Sequence, residues 1–230
     1  MLSGRAMSFL SRDELIATAR AMNAAGLNVG TAGNVSLRTR RGFLITPTGM
    51  PYDSLHPSDI VEVGKGGQAA GSRLPSSEWR MHQGIYDARP EVEAILHCHS
   101  PYATAISSLR RCIPAFHYMV AVAGGIDIRC APYATFGTEE LARLAAEALR
   151  DRTACLLANH GMLALAGTLE KAMKLALEVE NLARQYAIAL SAGEPVILDE
   201  REMAIVLEKF KTYGQQRRPA SPFRLRAGGS

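Results

Sequence analysis

The chain has 230 residues, 47% of them hydrophobic, a size that suits one large globular domain or two small ones. No apolar run approaches the ~20 residues that cross a bilayer, so no membrane-spanning helix is expected. The formal net charge of +4 equals the four cations Arg217, Arg218, Arg224 and Arg226 in 215–230, a stretch without acids. The remainder is therefore neutral and lacks the clustered cationic face that nucleic-acid binding needs.

The first residues carry no long apolar segment with a cleavage site, and no membrane or nucleic-acid partner is expected. Cys98, Cys112, Cys130 and Cys155 form no C-x-x-C and stand among apolar neighbours. Reduced thiols and a cytoplasmic location are the expectation.

In chain order, Ser11 and Glu14 make a capping box ahead of Leu15, Ile16, Ala19 and Met22 at helical spacing, with Gly26 as the stop. The small, Gly-rich run 28–36 leads into a strand at 35–37, and 42–46 reads as its hairpin partner. Pro47-Thr48-Gly49 then turns the chain. The two Gly/Thr-bearing turns read either as ordinary hairpin turns or as backbone nests that hold an anion. A strand is expected at 59–63 and a flexible turn at 64–67. Ser76 or Ser77 caps a helix that begins near Glu78 and ends before Pro90.

Residues 92–96 read as a strand running into His97-Cys98-His99. Strand periodicity sends His97 and His99 out of one face and Cys98 out of the other. On spacing alone the pair reads either as two ordinary histidines or as half of a metal site. His160, closing a second apolar strand at 154–158, is the candidate third ligand. Three His ligands with an open position would make a catalytic rather than a structural zinc site.

Pro101 opens a helix to about Leu109, 116–122 is a short helical stretch ended by Gly124, and 126–130 reads as a strand. Helices are expected from Thr138 to about Leu149, from Thr168 to near Gly193, and from Asp199 to about Tyr213, with 162–166 a strand between the first two. The whole reads as one α/β domain over 1–214, a central mixed, largely antiparallel sheet flanked by helices. Residues 215–230 form a basic tail that is expected to be disordered.

Five motifs then add up in order: Gly30-Thr31-Ala32-Gly33-Asn34-Val35-Ser36, Ile45-Thr46-Pro47-Thr48-Gly49, Leu74-Pro75-Ser76-Ser77-Glu78, His97-Cys98-His99 and Asn159-His160-Gly161. With them the chain resembles the class II aldolase/adducin family from about Gly26 to Gly214. The resemblance implies a cyclic homotetramer with active sites at subunit interfaces. It implies that His97, His99 and His160 ligate Zn2+, with Mn2+ or Co2+ as possible substitutes. It makes Glu78 the catalytic acid/base and a further metal ligand when substrate is absent.

The resemblance also gives Thr31, Gly33, Asn34, Thr48, Gly49, Ser76 and Ser77 to a phosphate-binding set. It gives Tyr118 of a neighbouring subunit to the aldehyde end, with Phe136 and Tyr213 around that pocket. The implied reaction is reversible cleavage of a ketose 1-phosphate, first L-fuculose 1-phosphate, to dihydroxyacetone phosphate and L-lactaldehyde. The alternative substrate is 5-deoxyribulose 1-phosphate or a related salvage sugar. Below these stand a pentulose-phosphate 4-epimerase, which would carry Asp near His117-Tyr118, and a non-catalytic adducin-like domain. Two departures stand out. Asn159 occupies a position where family members acting on fuculose phosphate typically carry a second His, and the arginine-bearing tail is unlike the family's usual end.

Overall fold

The computed structural model describes residues 4–212, with side chains from Ser11 onward. Tyr213 and the tail 215–230 lie outside the described residues. The first helix, α1 (Gly4–Ala24), starts seven residues before the expected capping box. Nothing in Arg5-Ala6-Met7-Ser8-Phe9-Leu10 breaks a helix, and Ala, Met, Leu and Arg favour one, so Ser11 and Glu14 lie in the helix interior. The end is as expected. Gly26 takes a left-handed φ of 73°, its N–H donates to Asn23 O, and Leu27 N–H donates to Met22 O, a Schellman closure.

The strands are β1 (Asn34–Arg38), β2 (Gly42–Ile45), β3 (Val61–Gly64), β4 (Ala69–Ala70), β5 (Ala94–Cys98), β6 (Cys130–Ala131), β7 (Ala154–Leu157) and β8 (Gly161–Ala166). They form one sheet in the order β4-β3-β2-β1-β5-β8-β7-β6. Only β6 and β7 run parallel; the other pairs are antiparallel. The sheet is mixed and largely antiparallel, as the hairpin-linked strands lead one to expect.

Both faces are covered. On one, α1, α3 (Pro101–Ser108) and α5 (Leu169–Ala192) enclose Val35, Leu96, Cys98, Leu156 and Met162. On the other, α2 (Trp79–Ala88) and α4 (Glu139–Ala148) enclose Phe43, Ile45, Ile95, Leu157 and Leu163. With apolar matter on both sides, β5, β7 and most of β8 read as continuous hydrophobic runs. A final helix, α6 (Glu200–Phe210), seats Met203 and Val206 against Ala115 and Ala121 of the stretch around the 3-10 helix Tyr118–Ala123.

Three other expectations shift. The strand at 59–63 begins at Val61, because Pro57–Asp59 turns as a 3-10 helix. The strand at 126–130 shrinks to Cys130–Ala131, because Ile128 bridges back to Ile113 rather than joining β7. The second helix begins at Trp79 with Glu78 itself as N-cap. Ser76 N–H donates to Thr46 O, and Pro75 bridges Pro47, so the serines belong to a turn strapped to the exit of β2.

Candidate active site

The site lies at one end of the sheet, on the α2 side. Register builds it. Asn34 of β1 stands directly opposite His97 of β5, and both point to the face that α2 covers. Glu78 at the start of α2 hangs over the pair. Asn34 Nδ2 donates to Glu78 Oε2 at 2.9 Å, and His97 Nε2 lies 3.1 Å from the same oxygen. His160 enters from the turn between β7 and β8 and brings Nε2 to 3.1 Å from Glu78 Oε1. That turn places Asn159 at φ 55°, a left-handed conformation that Asn tolerates.

Two close approaches hold these parts together. A Cβ on Gly33 would fall 2.6 Å from His97 O, and one on Gly161 would fall 2.4 Å from Cys98 O. Only glycine lets these two turns pack on the end of β5.

The rings of His97, His99 and His160 are mutually edge-on, with centroids 4.8–4.9 Å apart. His97 and His99 bring their Nε2 atoms to 3.0 Å of each other. One ligand atom from each of Glu78, His97, His99 and His160 lies within 4.8 Å of the others. His97 Nδ1–H donates to Met162 O at 2.9 Å, which leaves Nε2 as the nitrogen turned to the cluster. His99 is held through its backbone, whose N–H donates to Asn28 Oδ1 at 2.8 Å.

Glu78 Oε1 is buried, with His160 Nε2 beside it at 3.1 Å but outside good hydrogen-bond geometry. Converging imidazole nitrogens beside an orphaned carboxylate oxygen are the donor set that a borderline divalent cation satisfies. The residues present fit a metal ion.

The electrostatics agree. Burial alone would raise the Glu78 pKa, but the facing His97 and His160 rings outweigh it and hold the carboxyl below the usual range. Burial likewise opposes charge on His97, and Glu78 outweighs it and raises the pKa. His99 is pulled down to about 4, first by burial and then by repulsion from its two neighbours. The cluster therefore holds an ionised acid and favours His99 neutral.

Above the cluster opens a cavity of about 310 Å3. Thr31, Gly33, Asn34, Thr48, Gly49, Ser76 and Ser77 line it, and so do Glu78, His99, His160 and Phe136. The two glycine turns converge because β1 pairs with β2, with Thr46 N–H donating to Val35 O, and the bridge between Pro47 and Pro75 adds the Ser76–Ser77 turn to the same wall. Behind the first turn, Tyr52 OH donates to Gly33 O at 2.7 Å. His97 lies beneath, fully buried.

Tyr118 does not line this cavity; it sits half-exposed in its 3-10 helix with His117 stacked on its ring. Tyr213 lies outside the described residues. Tyr133, Ala134 and Asn159 line the cavity too, and sequence reasoning gave the first two no role. Nor did it single out His82, although the four-residue step from Glu78 would have found it.

A model of the class II aldolase and adducin N-terminal domain matches residues 13–187. The chain belongs to the class II aldolase and adducin family. Class II aldolases are metal-dependent, in keeping with the Glu78/His cluster. Within the family, the chain is 54% identical over 211 residues to a 5-methylthioribulose-1-phosphate/5-deoxyribulose-1-phosphate aldolase of Rhodospirillum rubrum, covering 92% of this chain and 96% of that one. It is 52% identical over 202 residues to an L-fuculose phosphate aldolase of Escherichia coli K12, covering 87% and 94%. Among solved structures it resembles an L-fuculose 1-phosphate aldolase with a TM-score of 0.85 and 44% identity, covering 92% and 98%. No helix among the described residues is long and apolar enough to cross a membrane.

Proposed function

We propose that this chain is a divalent-metal-dependent aldolase that reversibly cleaves a ketose 1-phosphate to dihydroxyacetone phosphate and a short aldehyde. The observation that carries this reading is the buried Glu78, with one free oxygen, set over three converging imidazoles at the floor of a hydroxyl-lined cavity. His97, His99 and His160 would hold the ion, with Glu78 as a further ligand before substrate enters. When bound, a Lewis acid such as Zn2+ stabilises the negative charge that develops on the ketone oxygen as the carbon–carbon bond breaks.

The chain's own residues do the rest. The hydroxyls of Thr31, Thr48, Ser76 and Ser77 and the backbone N–H groups of Gly33 and Gly49 hold the phosphate remote from the reacting bond, with Asn34 at the same wall. That remote binding orients C3 over Glu78. In cleavage the C4 hydroxyl proton leaves to solvent by way of Tyr118 of a second copy, the C3–C4 electron pair stays with the C3 fragment, and the aldehyde departs. Glu78, ionised at rest, takes up a solvent proton and delivers it from Oε1 to C3; in condensation it removes that proton. Oε2 is engaged by Asn34, so Oε1 is the oxygen free to do this.

Tyr118 of a second copy serves the aldehyde oxygen in a homotetramer, and Phe136 and Tyr213 shape its pocket. Residues 1–214 constitute the catalytic domain, and 215–230 a basic tail. A phosphorylated sugar suits an enzyme working in the cytoplasm.

L-Fuculose 1-phosphate, giving L-lactaldehyde, is the first substrate to test. 5-Deoxyribulose 1-phosphate is tested beside it: both sugars end in a methyl group, and Tyr133, Ala134 and Phe136 give one wall of the cavity an aromatic and apolar character that suits either. The test is cleavage of both by zinc-loaded protein, with dihydroxyacetone phosphate as the product detected. A chelator-sensitive rate with either supports the aldolase reading, and the faster one names the substrate. No product from either, with metal bound, overturns it.

A further inference from the structure

The row of side chains beneath Glu78 has no part in the reading above. Helix α2 and its cap turn Glu78, His82 and Tyr86 to the sheet at four-residue spacing. Strand β1 turns Asn34 and Ser36 to the helix at two-residue spacing. Four helical residues advance about 6 Å and two strand residues about 6.6 Å, so the two rows interleave. His82 Nε2 meets Asn34 Oδ1 at 2.5 Å, Ser36 Oγ meets His82 Nδ1 at 2.7 Å, and Tyr86 OH meets Ser36 Oγ at 2.8 Å. All five residues are buried, His82 and Ser36 completely.

Donor directions along the row are set at its functional end. An ionised Glu78 only accepts, so Asn34 turns its NH2 to Oε2 and its carbonyl to His82. His82 must then carry its proton on Nε2, and Ser36 must donate to Nδ1. A carboxamide rotated by half a turn would aim its oxygen at the carboxylate instead. The Asn34 carbonyl has the His82 ring as its side-chain donor. Burial keeps the His82 ring neutral, its pKa pulled down to about 3, with His97 adding to the effect.

We propose that His82 is a positioning residue for Glu78, acting through Asn34. Its Nε2–H locks the carboxamide, the carboxamide holds Oε2, and Oε1 is left aimed into the site. The role given to Glu78 rests on the aldolase reading; the lock itself does not.

Two substitutions separate donor from volume. His82→Met fills the space without an N–H, and His82→Gln returns an N–H at similar reach. With the ketose 1-phosphate that the parent cleaves fastest, His82→Met lowers kcat tenfold or more with KM within about threefold, and His82→Gln recovers most of that loss. In the metal-free full chain labelled with 15N-asparagine, the Asn34 carboxamide, assigned with Asn34→Ser, exchanges slowly with D2O in the parent and His82→Gln. It exchanges fast in His82→Met.

Parent-like kcat and parent-like exchange in His82→Met overturn the proposal, and so does a His82→Gln that loses as much as His82→Met. If His82→Met does not fold, Ser36→Ala carries the test: it removes the donor that fixes the ring's tautomer, and it must speed Asn34 exchange. Inactivity of the parent towards both sugar phosphates would sink the aldolase reading while leaving the exchange result to judge the lock.

Discussion

The floor and the rim of the cavity are built on opposite terms. At the floor, Glu78 and His97 are buried, and Asn34, His82 and Ser36 back the acid with hydrogen bonds inside one chain. At the rim, Phe136 and Tyr133 are 64% and 54% exposed, and Tyr118 does not line the cavity. Charge development needs fixed dipoles and little water, so the floor is preorganised within the fold. Selecting an aldehyde needs apolar shape, and an aromatic rim that is open in one chain can be completed by a second copy. Substitutions at the floor should therefore act on chemistry and metal together, and substitutions at the rim on aldehyde choice.

The sharpest break of that comparison is loss of a ligand. His160→Ala should release the metal and abolish turnover, measured as zinc content and dihydroxyacetone phosphate formation; a fully metallated, active variant would remove His160 from the ligand set. Next is the acid. Glu78→Gln should keep the metal and lower kcat by roughly 10^2–10^4, the span of a general acid/base contribution. Turnover within a few fold of the parent would show that Glu78 handles no proton.

At the rim, Tyr118→Phe should slow cleavage by about tenfold while leaving inhibition by inorganic phosphate unchanged, an effect smaller than any at the floor. An equal loss of phosphate binding would mean that Tyr118 acts through the fold instead.

The smallest effect concerns stability. His82 is neutral when folded, with its pKa at about 3, whereas the unfolded chain takes a proton near pH 6.5. The unfolded state binds more protons between these values, so stability falls as pH drops through that window, by at most about 1.4 kcal/mol per pH unit from this residue. Asn34 and Ser36 of β1, Glu78 and Tyr86 of its own face, and His97 of β5 are the groups around it. Urea unfolding of metal-free protein at pH 6.5 and 5 should show a shallower loss in His82→Gln than in the parent. Equal losses would mean that His82 titrates as if exposed.

Much of this molecule was legible in its residues. The helix ends at Gly26, Thr138, Thr168 and Asp199, the alternation that puts His97 and His99 on one face, and the sheet's mixed character follow from local rules: capping, left-handed glycine and a two-residue period. Those rules act over a few residues and need no partner. Their failures were equally local in appearance and non-local in cause. Ser11-Glu14 has the chemistry of a cap, but the helix had already begun at Gly4. Ser76 has the chemistry of an N-cap, and its Oγ does accept the Glu78 N–H at 3.3 Å, but its own N–H donates to Thr46 O and the regular helix starts only at Trp79.

What the chain's own order of residues determined, then, is which chemical groups exist and which of them share a face: an acid, three histidines, two glycine turns and an apolar remainder. Only the tertiary structure decided that they meet. Strand register set Asn34 against His97, the β7–β8 turn brought in His160 from more than sixty residues away in sequence, and the 47–75 strap set the Ser76–Ser77 turn beside the Thr48–Gly49 turn. These are pairings of distant segments, fixed by burying both faces of the sheet at once, and no window of sequence contains the energy that selects them.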